Sequence, residues 1–329
     1  MQKQYTKNKS KSQHEMPEEW QTISDGVTSP LIKKLTYYKW RNVKISACLR
    51  SIGERSRADM INECGTYAVT SVRNGHDVFK YANFCRQRMC QVCAWRRSSK
   101  FVAQMIPVCN ALSAQGYKFI FITLSLRNCA SDDVAADVSR LLEAWDRMSR
   151  RAKYKRAIKG YCRSLEVTYN VEREDYHPHL HILAAVDNDY FTSKKYISHD
   201  VMLEDWKAAA RVDYLPDVHI EKCYRGAKKN KDTSSTAAAI ETIKYAYKIS
   251  SKHIKNETIA TIFYSLANRR LVSFGGVIEE LRKQLQQSDI DDPTPDTEAA
   301  AVDTSQALDC IYIFNPNGWR IIDPYNEAL

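Results

Sequence analysis

The sequence predicts an α+β fold in which helices pack on one face of a central antiparallel sheet, preceded by a cysteine-rich segment. Strand-like and helix-like segments follow one another in the order β-α-β-β-α-β-α, which favours an antiparallel sheet with a helical layer. Four cysteines lie close together in the first third of the chain. Hydrophobic residues at 44% and charged residues at 27% are typical of a globular protein and exclude a wholly disordered chain.

The first two elements of the sheet domain follow the cysteines. Residues 118–126 (KFIFITLSL) are apolar and rich in β-branched side chains, which predicts a buried strand. Residues 132–151 predict an amphipathic helix, because apolar residues recur at helical spacing, acids stand at its start and arginines at its end.

The rest of the sheet is predicted from the segments that come next. Two strands, residues 164–169 and 179–186, flank a charged turn at 172–175. A helix over residues 194–210 is entered near Ser198. The last two predicted elements are a short strand at 217–223 and an alanine-rich helix at 236–250.

Changes in composition divide the chain into four expected regions. Residues 288–310 carry seven acidic residues and no Lys or Arg, which indicates a flexible acidic linker, and the apolar stretch 311–314 is expected to return as a strand. The regions are a loose polar and basic tail at 1–30, a cysteine-rich region at 31–105, the main α+β domain at 106–287, and the acidic linker with its apolar end at 288–329.

The charge balance favours a polyanionic partner. The chain has 49 Lys and Arg against 39 Asp and Glu, for a net charge of +10. Because the acidic linker lowers that total, the body of the chain is more basic than the whole, which favours nucleic acid over a merely solvated surface. Two basic clusters stand out: Arg147, Arg150, Arg151, Lys153, Lys155, Arg156 and Lys159, and then Lys222, Arg225, Lys228, Lys229 and Lys231.

The cellular location is expected to be the cytoplasm. No apolar run approaches the roughly 18 residues of a spanning helix, and the first residues have no apolar core of a secretory signal. In a reducing compartment the ten cysteines are thiols or metal ligands rather than disulfides.

Two histidines on one strand predict part of a divalent-metal site. His179 and His181 project from the same face, since side chains alternate along a strand. Glu166, on the preceding strand between apolar neighbours, completes a nitrogen and oxygen set suited to Mg²⁺ or Mn²⁺. The alternative is that the histidines serve only the core or the surface. His177 shares the alternation but precedes Pro178 at the strand entrance, which favours a supporting role.

The helix at 236–250 carries a second group of polar residues. Glu241 and Tyr245 are four residues apart and lie on one face, while Tyr247 points elsewhere. Lys244 and Lys248 form an adjacent pair with the same spacing. A packed tyrosine beside a solvated glutamate is the alternative interpretation.

Four cysteines have spacing that predicts a structural zinc site. Cys90 and Cys93 have the two-residue gap that lets both sulfurs reach one tetrahedral Zn²⁺, with Cys64 and Cys85 as the other two ligands. A three-cysteine site completed by His76, or a reactive CxxC pair, stays open. Arginines alternate with Trp95 beside this cluster, which favours DNA contact through Arg88, Arg96 and Arg97.

These motifs, in this order, resemble those of bacterial plasmid rolling-circle replication initiators, members of the HUH endonuclease superfamily. Gln91 departs from the proline usual in the cysteine motif, and the tails at 1–30 and 288–329 fall outside the resemblance. The matching segments are 84–97 (FCRQRMCQVCAWRR), 121–125 (FITLS), 176–183 (YHPHLHIL), 241–248 (ETIKYAYK) and 270–277 (RLVSFGGV).

The resemblance implies a fold of the HUH endonuclease type and a site-specific nicking and joining enzyme. It assigns Tyr245 as the nucleophile that cuts one origin strand, leaving a 5′-phosphotyrosyl link and a free 3′-hydroxyl, and Glu241 as the base of the terminal step. It gives His179 and His181 to the metal. The expected partners are the plasmid or phage origin as single strand or hairpin, and a host helicase, polymerase and single-strand binding protein. Lys228, Lys229, Lys244 and Lys248 are expected to contact the DNA.

Two other functions remain open. A single-strand transposase of the same superfamily shares the chemistry, whereas a relaxase is disfavoured because the tyrosine follows the histidines. A zinc-knuckle DNA-binding regulator would bind without cutting, and a metalloprotease is disfavoured because the chain has no H-E-x-x-H.

Overall fold

The structure, a computed structural model, confirms an α+β fold with antiparallel sheets. It describes residues 16, 18–25, 27–73, 76–223, 227–228, 231–232, 255–285, 310–315 and 318–322.

The described helices and strands are numbered in chain order. The helices are α1 Glu18–Asp25, α2 Pro30–Ser51, α3 Arg55–Glu63, α4 Gln91–Ala114, α5 Val134–Ser149, α6 Ala152–Ala157, α7 His199–Ala210, α8 Asn256–Ser265 and α9 Val277–Gln284. The strands are β1 Tyr67–Arg73, β2 His76–Ala82, β3 Lys118–Ser125, β4 Ile158–Asn170, β5 Asp175–Val186, β6 Asp217–Cys223, β7 Ala227–Lys228, β8 Lys231–Asp232, β9 Val272–Gly276, β10 Cys310–Asn315 and β11 Gly318–Ile322.

The central sheet has five strands in the order β6-β3-β5-β4-β9, and every neighbouring pair is antiparallel. Strands β4 and β5 form a long hairpin in which Glu166 pairs with His179 and Ser164 pairs with His181. Strand β3 lies on the other side of β5, with Thr123 opposite His181. The register therefore brings Glu166, His179 and His181 to the same face of the sheet.

Helices pack on one face of this sheet, as expected, and two more cover part of the opposite face. On one face, Ile122 and Ile182 belong to the same buried cluster as Leu141 of α5 and Trp206 of α7. The opposite face is covered at one end by α4 and α9. Its buried cluster joins Phe101, Met105, Phe119, Leu183 and Ile278. The reason lies in β3, where the run FIFITL places apolar side chains on both faces of the sheet. Both faces must therefore be covered by other elements to keep these side chains from water.

The other half of that second face is polar. Glu166, His179 and His181 lie there, beyond the end of the cluster that α4 and α9 bury. The Phe121 ring stacks on the His181 ring at 5.4 Å between centroids and separates the apolar half from the polar half.

Two consecutive glycines let β9 and α9 approach β4 closely. Gly276 has φ +58°, and a Cβ there would collide with the backbone carbonyl of Lys159. A Cβ on Gly275 would collide with the Tyr161 ring. The glycine pair is therefore required by the packing of the edge strand against β4.

A second sheet, in the order β11-β10-β1-β2, joins residues 67–82 to residues 310–322. Ile311, Tyr312 and Ile313 pair with β1, which confirms that the apolar C-terminal stretch returns as a strand. Trp319 Nε1 donates to Thr36 Oγ1 of α2 at 2.8 Å, so the C-terminal hairpin is held by side chains as well as by the sheet.

Two further expectations can be compared with the elements. The helix at 194–210 begins at His199, with Ser198 as its N-cap accepting from Val201 N. The expected division at 105/106 lies inside α4, which is continuous from Gln91 to Ala114.

The predicted helix at 236–250 lies outside the described residues. Within the described part of the chain, no helix is both long and apolar enough to cross a membrane.

Candidate metal centres

Three side chains converge on the polar half of the central sheet. Glu166 Oε2 lies 3.2 Å from His179 Nε2 and 3.0 Å from His181 Nε2, and the two Nε2 atoms are 3.0 Å apart. Glu166 and His179 are buried, and His181 is half-buried. The three residues predicted as one ligand set therefore lie together and can hold a metal ion.

The far side of each imidazole is held by a hydrogen-bond partner. His179 Nδ1 lies 2.9 Å from the carbonyl oxygen of His177, which can only accept, so Nδ1 carries a proton and Nε2 faces Glu166. His181 Nδ1 lies 3.1 Å from Thr123 Oγ1. Such partners orient imidazole ligands in metal sites.

His177 supports the site from outside the ligand set. Its Nδ1 lies 2.8 Å from Asn128 Oδ1. Burial, reinforced by nearby His179, lowers the pKa of His177 to about 4, so this ring is neutral near pH 7. The sequence prediction of a supporting role for His177 agrees with this position, whereas nothing in the sequence indicated Asn128.

The charge of the site is set by Glu166. Burial alone would raise the pKa of this carboxyl, but hydrogen bonds from His179 and His181 outweigh it and lower the pKa to about 2. Glu166 therefore stays ionised across the physiological range and supplies the negative charge that attracts a cation.

The ligand spacing fits an octahedral ion. Two neighbouring ligands held about 2.1 Å from an octahedral centre lie about 3.0 Å apart. The three separations of 3.0, 3.0 and 3.2 Å match one triangular face of such an octahedron. Three protein ligands would leave the remaining positions of such an ion to water or substrate.

The four predicted zinc ligands also lie together. The sulfurs of Cys64 and Cys93 are 3.6 Å apart and those of Cys85 and Cys93 are 3.8 Å apart, and all four Sγ atoms lie within 4.8 Å of one another. Sulfurs bound at about 2.3 Å to a tetrahedral zinc lie about 3.8 Å apart. The set is therefore shaped for a four-thiolate metal site. The side chain of His76, the alternative ligand, lies outside the part of the chain whose side chains the structure describes.

The start of α4 organises the cysteine cluster. Cys90 is the N-cap of this helix, and its Sγ accepts from Cys93 N at 3.5 Å. Arg86 has φ +59°, a left-handed conformation that is uncommon for a residue with a side chain, and its N–H donates to Cys93 Sγ at 3.3 Å. The pKa of the Cys93 thiol is lowered, first because Cys64 donates a hydrogen bond to its sulfur.

Two residues of α2 support the cluster, and the sequence analysis did not find them. Asn42 Nδ2 donates to Cys90 Sγ at 3.2 Å, and its Oδ1 accepts from Gln91 N at 2.7 Å. The Lys39 ammonium donates to the carbonyl of Cys64 at 3.0 Å and lies over the Phe314 ring. Burial lowers the pKa of Lys39 to about 8, although Cys64 and Cys90 act in the opposite direction.

Comparison with known proteins decides the family. The model of the Rep_1 family, described as replication protein, matches residues 76–320. The chain belongs to the Rep_1 family. The resemblance to plasmid rolling-circle replication initiators is thereby confirmed.

Curated relatives of Rep_1 type agree with the family match. The chain is 31% identical over 260 residues to "Protein rep" of Streptococcus pneumoniae serotype 2, which covers 77% of this chain and 80% of the relative. It is 33% identical over 204 residues to "Protein rep" of Staphylococcus aureus, covering 60% and 88%, respectively. "Protein rep" of Bacillus amyloliquefaciens is 29% identical over 252 residues, covering 71% and 74%. No solved structure gives a significant match.

Most of the remaining predicted residues of this Rep_1 protein fall in the segment that follows β6. The residues predicted for the tyrosine helix and for one basic contact lie outside the described part: Glu241, Lys244, Tyr245, Lys248 and Lys229. Lys228 lies in the short strand β7, and the structure describes only the backbone of this residue.

The three arginines predicted to contact DNA make contacts within the chain. Arg88 Nη1 donates to the carbonyl of Leu266, and Arg97 Nη2 donates to the carbonyl of Arg88 at 3.0 Å. The Arg96 guanidinium lies 3.6 Å from the centroid of the Phe84 ring. Each therefore has a structural contact, and their contact with DNA stays a prediction.

The basic cluster at 147–159 is largely paired with acids of the same chain. Arg151 and Lys153 both pair with Asp205, and Lys159 pairs with Asp187. Arg147 pairs with Glu143, and Arg150 with Asp146. These pairs reduce the positive potential that the linear sequence suggested for this cluster.

Proposed function

We propose that this plasmid replication initiator nicks one strand of the plasmid's rolling-circle origin by metal-assisted attack of a tyrosine on a phosphodiester. The observation that carries the proposal is the convergence of Glu166, His179 and His181 on the polar half of the sheet. A set with three protein ligands and open positions is typical of a catalytic rather than a structural metal.

Glu166, His179 and His181 would hold Mg²⁺ or Mn²⁺, which supplies Lewis-acid polarisation of a non-bridging phosphate oxygen. Thr123 and the His177 carbonyl keep both imidazoles aimed at that position, so little reorganisation is needed when DNA binds. The ionised Glu166 favours a cation over a proton in the site.

The reacting residue in this proposal is Tyr245, carried over from the family resemblance. Its phenolic oxygen forms a bond to phosphorus as the bond from phosphorus to the 3′ oxygen breaks. The phenolic proton leaves, and the released 3′ oxygen takes up a proton to give the primer 3′-hydroxyl. A 5′-phosphotyrosyl link remains and can later be resealed by another 3′-hydroxyl, or hydrolysed by water that Glu241 activates.

The remaining components follow the same proposal. Zn²⁺ on Cys64, Cys85, Cys90 and Cys93 has a structural role, because four protein thiolates leave no open position. The DNA partner is the origin, presented as single strand or hairpin, with Lys228, Lys229, Lys244, Lys248, Arg88, Arg96 and Arg97 as contacts. A host helicase, polymerase and single-strand binding protein would continue the reaction in the cytoplasm.

A cleavage assay tests the proposal directly. Labelled single-stranded DNA from the plasmid's own origin is incubated with the protein and Mn²⁺, and adducts are separated on a denaturing protein gel. We expect a covalent adduct that requires the metal and is lost in Tyr245→Phe but kept in Tyr247→Phe. Loss in Tyr247→Phe alone would move the nucleophile to Tyr247.

The same assay separates the alternative functions. Tight binding to origin DNA without a nick or an adduct would favour a zinc-knuckle regulator. Adducts formed on paired transposon-type ends, with no preference for the plasmid origin, would favour a single-strand transposase.

A further inference from the structure

A cleft of about 290 Å³ lies beside the Glu166, His179 and His181 group and is not used by the mechanism above. It lies at the turn end of the β4–β5 hairpin. It is lined by Asn128, Thr168, Tyr169, Asn170, Arg173 and His177.

The cleft opens on the same face of the sheet as the metal ligands. Thr168 pairs with His177, and Glu166 pairs with His179 one step further along the hairpin. Because residues two apart on a strand share a face, Thr168 and His177 continue the row that Glu166 and His179 begin. Two residues of strand correspond to about 7 Å, roughly the length of one nucleotide in an extended single strand.

His177 connects the cleft with the metal-ligand group. Its ring lines the cleft, and its carbonyl oxygen accepts a hydrogen bond from His179 Nδ1. A phosphate bound at the metal ligands would therefore place a neighbouring nucleotide at the mouth of the cleft.

The lining suits a base better than a phosphate. Arg173 is the only cation among the described lining residues, and its Nε is paired with Asp175 Oδ2 at 2.9 Å. The His177 ring supplies an aromatic surface, and Thr168 and Asn170 supply polar edges. Aromatic stacking with nearby polar groups is how proteins hold unpaired bases.

The polar edges are rich in donors. Asn170 Oδ1 already accepts from the backbone N–H groups of Glu172 and Arg173, at 2.9 and 3.0 Å, which leaves the amide NH₂ as its donor side. The pairing of Arg173 through Nε leaves its Nη groups to donate as well. Guanine, with N7 and O6 acceptors on one edge, matches such a lining best.

We propose that this cleft binds a nucleobase of the cut strand, next to the scissile phosphate, and that it favours guanine. The inference rests on the proposed nicking function and adds to it a site that selects the sequence around the nick. The β4–β5 hairpin would then contribute both the metal ligands and one element of origin recognition.

The test combines altered DNA with altered protein. Fluorescence anisotropy measures binding of single-stranded origin DNA to the zinc-loaded protein without added Mg²⁺ or Mn²⁺, with an abasic site placed in turn at each position flanking the nick. We expect the abasic site to weaken binding about tenfold at one position, because one stacked base is lost there. At that position, guanine should bind more tightly than the other three bases.

Thr168→Leu fills the cleft, and Thr168→Ser is its matched control that keeps the hydroxyl. Thr168→Leu should weaken binding to intact DNA and remove the extra effect of the abasic site, while Thr168→Ser should behave as the wild type. Arg173→Ala should reduce the preference for guanine without abolishing binding.

Additive effects of Thr168→Leu and the abasic site would overturn the inference, because they would mean that the base lies elsewhere. Equal binding of all abasic substrates would overturn it as well. Binding is measured without added Mg²⁺ or Mn²⁺ and therefore does not depend on nicking. A protein that binds in this way but never nicks would refute the proposed function and leave the cleft assignment standing.

Discussion

The cysteine cluster and the Glu166, His179 and His181 group are both shaped for a metal ion, but they differ in closure. The cluster offers four sulfurs, three of them from buried residues, and backbone N–H groups of Cys85, Arg86 and Cys93 donate to those sulfurs. The sheet group offers three ligands and borders a cleft. A closed thiolate set suits a structural ion, whereas an open nitrogen and oxygen set suits a reacting one.

The two groups also differ in how the chain builds them. The sheet ligands come from one hairpin and are at most 15 positions apart in sequence. The cysteines come from the end of α3, the loop after β2 and the start of α4. Residues of α2 contact them, and Lys39 of α2 lies over the Phe314 ring of the C-terminal hairpin. Loss of the cluster should therefore affect stability, and loss of the sheet group should affect activity. Four predictions test this difference.

The largest effect is expected from Cys93→Ser. It removes a ligand that contacts two other sulfurs, so the protein should retain no zinc and lose several kcal/mol of unfolding free energy. Zinc content by elemental analysis and urea unfolding measure both. Cys223→Ser is the control, because Cys223 lies on β6 of the central sheet and is not one of the four clustered cysteines. This variant should keep full zinc content. Equal stability of Cys93→Ser and the wild type would contradict a structural role.

His181→Ala should leave the fold intact and lower the nicking rate by about 10²- to 10³-fold, since the metal would lose one of three ligands. The rate is measured on labelled origin DNA with saturating Mn²⁺. His219→Ala is a matched control, because His219 lies exposed on the edge strand β6 and pairs in register with Thr123 on the same face. A comparable loss in His219→Ala would show that the assay reports surface charge instead.

Thr123→Val removes the hydrogen bond to His181 Nδ1 while keeping the shape of the side chain. Partners of this kind contribute about 10- to 100-fold to metal affinity, so Mn²⁺ binding by calorimetry should weaken by at least about tenfold. Thr123→Ser should restore it. Unchanged affinity in Thr123→Val would mean that the hydroxyl does not orient the ring.

The smallest effect is expected from Lys39→Met. Removing the buried ammonium leaves the thiolates with less compensating charge, so zinc should be lost to a chelator a few-fold faster, at roughly 1 kcal/mol. Lys34→Met, on the same helix over the Trp95 ring, is the control and should release zinc at the wild-type rate. Slower release from Lys39→Met would show that the lysine opposes metal binding.

Local spacing was enough to predict the ligands themselves. The alternation of a strand places His179 and His181 on one face, and the gap between Cys90 and Cys93 suits one tetrahedral ion, whatever the rest of the chain does. Glu166 could be included because a charged turn implied a hairpin, and the pairing of Glu166 with His179 agrees. The N-cap at Ser198 is a signal of the same local kind.

Only the tertiary structure decided what surrounds those ligands. Helices on both faces, the continuity of α4, and the pairing of β10 with β1 depend on which apolar surfaces meet across long sequence separations. Lys39, Asn42 and Asn128 gained their roles in the same way, because the contact of each with its site joins separate elements. The sequence by itself therefore determined the class of protein and the residues that could hold metal ions, since period and spacing are properties of the local backbone. The closed and open character of the two sites was decided by packing, which no local pattern encodes.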